Sequence, residues 1–92
     1  MEKKTVHVLL TYVLDDKETY CNLFTSKQAV VDYVLDGIKR DYLDIYGEKM
    51  DDETKADMET DLADAKKSLD TRGYWRDANE NEYVYDEKEF TA

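Results

Sequence analysis

Polar and apolar residues alternate near the start of the chain, over residues 5–14. The even-numbered positions of this stretch are all apolar or aromatic, whereas the odd-numbered positions include His7 and Thr11. A repeat of two residues is typical of a β-strand with one buried face, and we expect the even-numbered face to be the buried one. The alternation returns over residues 19–25 after a polar turn at residues 15–18, which predicts a β-hairpin with a loop of about four residues.

A helical repeat follows this hairpin. Thr25 or Ser26 is placed to cap the helix, and Gln28 stands three residues after Thr25, as in a capping box. Gly47 is expected as the C-terminal cap, so the helix is predicted to run to about Tyr46. The expected buried stripe consists of Val31, Val34, Leu35, Ile38, Tyr42 and Ile45.

A second helix is predicted from a cap at Asp51 or Asp52 to Asp70 or Thr71, with Gly73 closing it. Its apolar positions are few, so it is expected to touch the core along one line and to leave most of its surface in water. These positions are Met58, Leu62, Ala65 and Leu69.

The segment over residues 74–85 contains an aromatic stretch, a polar turn and a second aromatic stretch, which together predict a second hairpin. With 92 residues, no proline and only three glycines, the chain offers no linker, and we expect one domain over residues 1–92. The order ββααββ favours an α+β fold in which one antiparallel sheet packs on the first helix. The expected core residues are Val6, Val8, Leu10, Tyr12, Phe24, Val34, Leu35 and Ile38.

The residue types that catalysis and metal binding require are scarce. The single histidine, His7, has no second histidine to complete a zinc site, and no glycine-rich phosphate loop is present. The single cysteine, Cys21, has no histidine near it in sequence and is expected to be a small core residue. Asp77 opens a segment similar to a calcium loop, but Glu82 and Lys88 stand where that loop requires glycine and glutamate. We therefore expect no enzyme activity, no cofactor and no metal.

The N-terminal segment and the low cysteine content indicate the compartment of the protein. No small-residue cleavage site follows the first apolar stretch, and no run approaches the roughly 20 apolar residues that span a bilayer. A lone cysteine suits a reducing compartment, and an acidic surface is repelled by anionic lipids. We expect a cytoplasmic protein that does not bind membranes.

Acidic residues outnumber basic ones, 23 to 13, and the formal net charge is -10. Residues 1–50 hold nine acids and seven bases, whereas residues 51–92 hold fourteen acids and six bases. Seven carboxylates fall within residues 51–64, which is about 21 Å of helix at ~1.5 Å per residue. One carboxylate per ~3 Å approaches the spacing of one phosphate per ~3.4 Å along a nucleic-acid strand.

This charge distribution leads to the hypothesis of a non-catalytic binding protein that occupies a basic nucleic-acid-binding groove on another protein and does not itself bind nucleic acid. Its carboxylates would imitate phosphates, and the aromatic rings beside them would imitate bases or anchor the interface. The expected binding residues are Asp57, Glu59, Asp61, Asp64, Trp75, Glu80, Glu82 and Tyr83.

Two alternatives stay open at this point. The acidic residues could serve only to keep a small domain soluble. The chain could also be a structural or regulatory interaction module that binds a partner, or a second copy of itself, through an exposed sheet edge or the aromatic C-terminal hairpin.

The order of elements and the composition resemble the short accessory proteins of bacteriophages and mobile elements. The resemblance rests on the first hairpin leading through Phe24-Thr25-Ser26-Lys27-Gln28-Ala29 into a helix, with acidic, tyrosine-rich segments behind it. Many proteins of this class, including anti-CRISPR proteins and other anti-defence inhibitors, are acidic single domains that occupy a nucleic-acid groove on a host enzyme. The resemblance implies the cytosol of a bacterial host and a defence protein as the partner, and it transfers no functional residue.

Overall fold

The computed structural model describes residues 3–15 and 17–91. The strands form one antiparallel sheet in the spatial order β2-β1-β4-β3. This arrangement confirms the predicted α+β fold with the order ββααββ. The elements are β1 (Lys3–Val13), β2 (Glu18–Phe24), α1 (Lys27–Tyr46), α2 (Asp52–Arg72), β3 (Tyr74–Arg76) and β4 (Glu82–Thr91).

Short polar side chains define where both helices begin. The Ser26 hydroxyl accepts a hydrogen bond from the backbone N–H of Ala29 at 3.1 Å, so Ser26 rather than Thr25 is the N-cap of α1. The Asp51 carboxylate accepts a hydrogen bond from the N–H of Thr54 at 2.7 Å and caps α2. Each cap supplies an acceptor for one of the N–H groups that a first helical turn leaves without a partner.

Gly73 joins α2 directly to the C-terminal hairpin. It has a left-handed conformation, with φ at 65°, and its N–H donates to the Leu69 carbonyl. The Tyr85 N–H donates to the Gly73 carbonyl at 2.8 Å, and a Cβ on Gly73 would lie 3.1 Å from the Tyr85 carbonyl oxygen. Glycine is therefore favoured here by the positive φ and by the close approach of β4.

Both helices pack on the same face of the sheet, and the hydrophobic core lies between them and that inner face. The register places Leu9 of β1 beside Tyr85 of β4, and His7 beside Phe24 of β2, all on the inner face. Leu9 is fully buried, which makes the odd-numbered side of β1 the buried side. The buried residues are Leu9, Val30, Val31, Val34, Ile38, Ala65, Ser68, Leu69 and Trp75.

The buried face of β1 is the opposite of the one that we predicted. Val6, Val8 and Leu10 are half-buried and Tyr12 is 39% exposed, because their side chains lie on the outer face of the sheet, which neither helix covers. Leu9 and Leu10 place an equally large apolar residue at the centre of each face. Alternation alone therefore predicts the strand but does not say which face the helices cover.

The prediction for α1 is correct at its centre and wrong at its end. Val34 and Ile38 are buried, and Phe24 and Leu35 are half-buried against the core. Ile45, which we expected to be buried, is 69% exposed because it lines an open cleft at the C-terminal end of α1 and does not pack in the core.

Candidate functional site

A cleft of about 210 Å³ lies where the C-terminal half of α1, the middle of α2 and the turn after β3 meet. Each of these segments contributes one carboxylate to the lining, from Asp41, Asp61 and Asp77. We call this feature the acidic cleft. The apolar and aromatic residues in its lining are Ile38, Tyr42, Ile45, Tyr46, Trp75, Ala78 and Tyr83.

One wall of the acidic cleft is built by a hydrogen bond between the two helices. The Tyr42 hydroxyl donates to the Asp61 carboxylate at 2.6 Å, and the Tyr46 ring stacks on the Tyr42 ring with centroids 5.7 Å apart. This hydrogen bond, together with burial and the charges of Asp61 and Asp57, raises the pKa of Tyr42 to about 12. Tyr42 therefore remains a neutral donor at physiological pH and holds the Asp61 carboxylate in place.

The opposite wall is a turn organised by a single carboxylate. Asp77 accepts hydrogen bonds from the backbone N–H groups of Asn79 and Asn81, both at 2.9 Å, and Glu80 has a positive φ of 66°. This hydrogen-bonding pattern is an Asx-type turn, and it gives a structural reason for the calcium-like spacing of polar residues. Within the described residues, no group of three or more histidine, cysteine or acidic side chains is arranged to hold a metal ion.

Tyr83 and Trp75 form the inner part of the acidic cleft. Their rings stack with centroids 5.4 Å apart, and Trp75 is only 8% exposed, so it belongs to the core. Burial raises the pKa of Tyr83 to about 12, with further contributions from the negative charges of Asp77 and Asp41. Two carboxylates from different segments thus act on one hydroxyl, which indicates a negative potential in the cleft.

Three of the predicted acidic residues share one flank of α2. Asp57, Asp61 and Asp64 are spaced by four and three residues, which puts them on the same side of a helix. Asp61 lines the acidic cleft, and Asp64 lines a neighbouring groove beside Tyr74 and Arg76. Along the helix axis the three carboxylates are separated by ~6 Å and ~4.5 Å, wider than the ~3 Å obtained by counting acids on every side of α2.

The remaining predicted acids lie elsewhere. Glu59 is about 200° around the helix from Asp61 and therefore occupies the other flank of α2. Glu80 is exposed in the turn after β3, where it pairs with Arg76 at 3.0 Å. Glu82 lies on the outer face of the sheet and accepts a hydrogen bond from the Tyr74 hydroxyl at 2.8 Å.

Sequence reasoning missed several residues of the acidic cleft, above all Asp41. This residue lies three positions after Ile38 and four before Ile45, so it interrupts the apolar stripe of α1. A carboxylate on an otherwise apolar stripe was the available signal. Asp77 and Tyr46 carried no comparable signal, because only the packing of α1 against the β3–β4 turn brings them together.

His7 and Cys21 lie on opposite faces of the sheet. His7 Nδ1 is 2.7 Å from the Tyr85 hydroxyl, and that hydroxyl donates to a Glu87 carboxylate oxygen, also at 2.7 Å. Cys21 is exposed on the outer face, because its place opposite Leu10 puts it on the face that the helices leave open. The expectation that Cys21 is a core residue is therefore wrong.

Comparisons of the chain with protein-family models, with curated protein sequences and with solved structures found no match. In the described part of the chain, neither helix has the length and apolar character of a membrane span. The interpretation of the site accordingly depends on its own geometry and charge.

Proposed function

We propose that the protein is a non-catalytic binding protein whose acidic cleft and the adjoining flank of α2 occupy a basic nucleic-acid-binding groove on another protein. The observation that carries the proposal is the convergence of Asp41, Asp61 and Asp77 beside tyrosine rings. An arginine or lysine side chain of the partner would meet carboxylates and aromatic faces together, and both attract a cation.

The charges around the acidic cleft support this choice of partner. Residues 51–64 contain seven acids and one base. The lysine and arginine ion pairs found among the described residues are Arg76–Glu80 and Lys88–Asp86, so Asp57 and Asp64 are left with their charges uncompensated by a local pair. Each ion pair that such an exposed carboxylate forms with a partner contributes about 0 to 1 kcal/mol to the free energy of binding. These charges act mainly on the association rate and the specificity of the complex.

The positions of the two most reactive side chains favour binding over catalysis. A cysteine nucleophile needs a base within hydrogen-bond reach, whereas Cys21 and His7 project from opposite faces of the sheet. The proposal therefore includes stoichiometric action without turnover. It also includes the cytosol of a bacterial host as the site of action and a host defence protein as the partner, as the resemblance to phage accessory proteins implies.

Two charge-reversal variants test the proposal. Both replace four exposed carboxylates with lysine and change the net charge by the same amount, so they differ only in where the charge is reversed. The cleft variant carries Asp41→Lys, Asp57→Lys, Asp64→Lys and Glu80→Lys. The control variant carries Asp32→Lys, Asp36→Lys, Glu59→Lys and Asp70→Lys, on the outer side of α1 and the other flank of α2.

The parent and both variants are immobilised and exposed to bacterial lysate at about 0.1 M and 0.5 M salt, and the retained proteins are identified. We expect the parent and the control variant to retain the same nucleic-acid-binding protein at low salt, and the cleft variant to lose it. The amount of partner retained should fall at high salt, because salt screens the attraction between charges on the two surfaces.

A second measurement tests the inhibition itself. The retained protein is purified, and its binding to its own nucleic acid is titrated with the free parent protein. We expect the complex with nucleic acid to be displaced completely at one equivalent of the parent. Equal retention by both variants would show that the acidic cleft is only a solvated surface. Retention without displacement of nucleic acid would show that the cleft binds the partner outside its nucleic-acid-binding groove, which also contradicts the proposal.

A further inference from the structure

The outer face of the sheet is an apolar surface that neither helix covers. Leu23 on this face is 68% exposed, and Tyr12 and Tyr74 are 39% and 36% exposed. The strand register aligns the apolar residues in adjacent rows, with Val8 beside Leu23 and Leu10 beside Cys21. The apolar residues of the outer face are Val6, Val8, Leu10, Tyr12, Cys21, Leu23, Tyr74 and Val84.

This face differs from the rest of the molecule in charge. The register places three bases and two acids on it, giving a net charge of +1 on a chain whose total is -10. The excess of negative charge therefore lies on the helices, the turns and the margins of the sheet. The charged residues of the outer face are Lys4, Arg76, Glu82, Asp86 and Lys88.

We propose that the outer face binds the outer face of a second copy of this chain in a two-fold symmetric β-sandwich. Packed sheets lie ~10 Å apart, and each helix layer lies ~10 Å further out, so the two acidic layers would be ~30 Å apart. The Debye length at physiological ionic strength is ~8 Å, and the repulsion between those layers is therefore largely screened. The outer face, with its net charge of +1, can therefore meet its own copy at a small electrostatic cost.

The positions of two charges on β4 indicate the orientation. Lys88 stands beside Val6 at one end of the apolar face, and Glu82 stands beside Tyr12 at the other end. A two-fold axis that lies in the plane of the interface and perpendicular to the strands places β4 over β4 of the second copy in the opposite direction. Lys88 of each copy then lies over Glu82 of the other, and Val8 lies over Leu10.

The size of the face suits a weak dimer. From Val6 to Tyr12 it extends about 20 Å along the strands, and four strands span roughly 15 to 19 Å across. Two such faces bury roughly 600 to 760 Å², which is less than a stable specific interface buries and is in the range of weak, transient contacts. We therefore expect a monomer–dimer equilibrium with a dissociation constant in the micromolar range.

The equilibrium is measured by sedimentation over protein concentrations from about 1 μM to 1 mM, and the dimer is captured with a bismaleimide. Cys21 is the only cysteine and lies on the outer face, so a linker that spans the roughly 10 Å between packed sheets should join two copies. Dimer mass and cross-linking that rise together with concentration support the proposal. A chain that stays monomeric throughout overturns it.

Two double variants, one on the outer face and one on α1, locate the interface. Val8→Thr with Leu23→Lys should abolish dimerisation and cross-linking while the far-ultraviolet circular dichroism spectrum stays that of the parent. The control replaces exposed apolar residues on α1, with Leu43→Thr and Ile45→Lys, and should dimerise like the parent. If the control variant loses the dimer and the outer-face variant keeps it, the contact lies elsewhere.

A charge swap tests the orientation. Lys88→Glu alone and Glu82→Lys alone should each weaken the dimer by about tenfold, because each puts like charges opposite one another in two places. The chain that carries both substitutions should recover the parent's dissociation constant to within about threefold. If the double variant is as weak as the product of the two singles, this antiparallel arrangement is wrong. Neither outcome depends on the partner proposed for the acidic cleft, which remains on the outside of the dimer.

Discussion

Leu9→Ala and Leu10→Ala remove the same atoms from adjacent positions of β1 but from opposite faces of the sheet. Leu9 is fully buried at the centre of the core, whereas Leu10 is half-buried on the outer face. We expect Leu9→Ala to lower the free energy of unfolding by about 3 to 4 kcal/mol, because it removes buried methyl groups and leaves a cavity. Leu10→Ala should cost about 1 kcal/mol in the monomer, because its site is partly hydrated and leaves no closed cavity.

The predicted difference is large compared with the stability of a domain of this size. At roughly 0.05 to 0.15 kcal/mol per residue, a 92-residue domain is stabilised by about 5 to 14 kcal/mol. Leu9→Ala would remove about a fifth or more of that stability and lower the melting temperature by about 12 to 32 °C. Leu10→Ala would lower it by only about 4 to 8 °C.

Urea unfolding followed by circular dichroism measures both variants. The curves are recorded at a low micromolar concentration and again at a tenfold higher one, so that any contribution of self-association to Leu10 is separated from its contribution to the fold. If Leu10→Ala costs as much as Leu9→Ala at the lower concentration, the helices pack on the even-numbered face after all, and the assignment of the inner face is wrong.

Further predictions concern the turns and the cleft. Gly73→Ala should destabilise the protein by about 1 to 2 kcal/mol, because Gly73 has a positive φ and a Cβ there would lie close to the Tyr85 carbonyl. Gly37→Ala should stabilise the protein by about 0.5 to 1 kcal/mol, because Gly37 lies inside α1 with open space around it. Thermal unfolding measures both changes. Asp77→Ala should cost about 1 to 3 kcal/mol by removing the acceptor of two backbone N–H groups, and Asp77→Asn, which keeps an acceptor oxygen, should cost under ~1 kcal/mol in the same assay. The pKa of Tyr42, about 12 in the folded chain, lies above its unfolded value of 10.0, so its hydrogen bond stabilises the fold fully below pH 10 and less as pH rises toward 12. Asp61→Asn should bring this pKa down, as the ultraviolet difference spectrum against a Tyr42→Phe chain reports; an unchanged pKa would contradict the assigned hydrogen bond.

The features that sequence predicted well are the ones set by neighbouring residues. Ser26, Asp51 and Gly73 act on backbone groups within four positions, so the ends of the helices follow from local chemistry. The face of β1 that is buried depends instead on where the helices dock. Leu9 and Leu10 satisfy the strand pattern equally, and only the tertiary arrangement distinguishes them.

The candidate site was predictable only in part for the same reason. The acidic character of residues 51–64 was apparent from composition, and Asp57, Asp61 and Asp64 do share a flank of α2. Trp75 was expected to be a binding residue because it stands near the carboxylates of the aromatic C-terminal hairpin, yet its ring is buried on the inner face of the sheet. The cleft is lined by residues up to 45 positions apart, from Ile38 to Tyr83. A local sequence pattern cannot predict that such distant residues lie close together.

The place of β1 in the sheet also affects the synthesis of the protein on the ribosome. Among the strands that the structure describes, β1 is made first, whereas one of its two neighbours, β4, is made after all the others. At roughly 5 to 20 residues per second, about 4 to 16 s pass between translation of Val13 and of Thr91, and one edge of β1 stays unpaired for that time. The sheet therefore cannot close before β4 has been translated. Because Lys3 lies opposite Thr91, a circular permutant that links these strand ends and opens the chain between α1 and α2 converts the most distant pairing into a local hairpin, and it should fold faster than the parent.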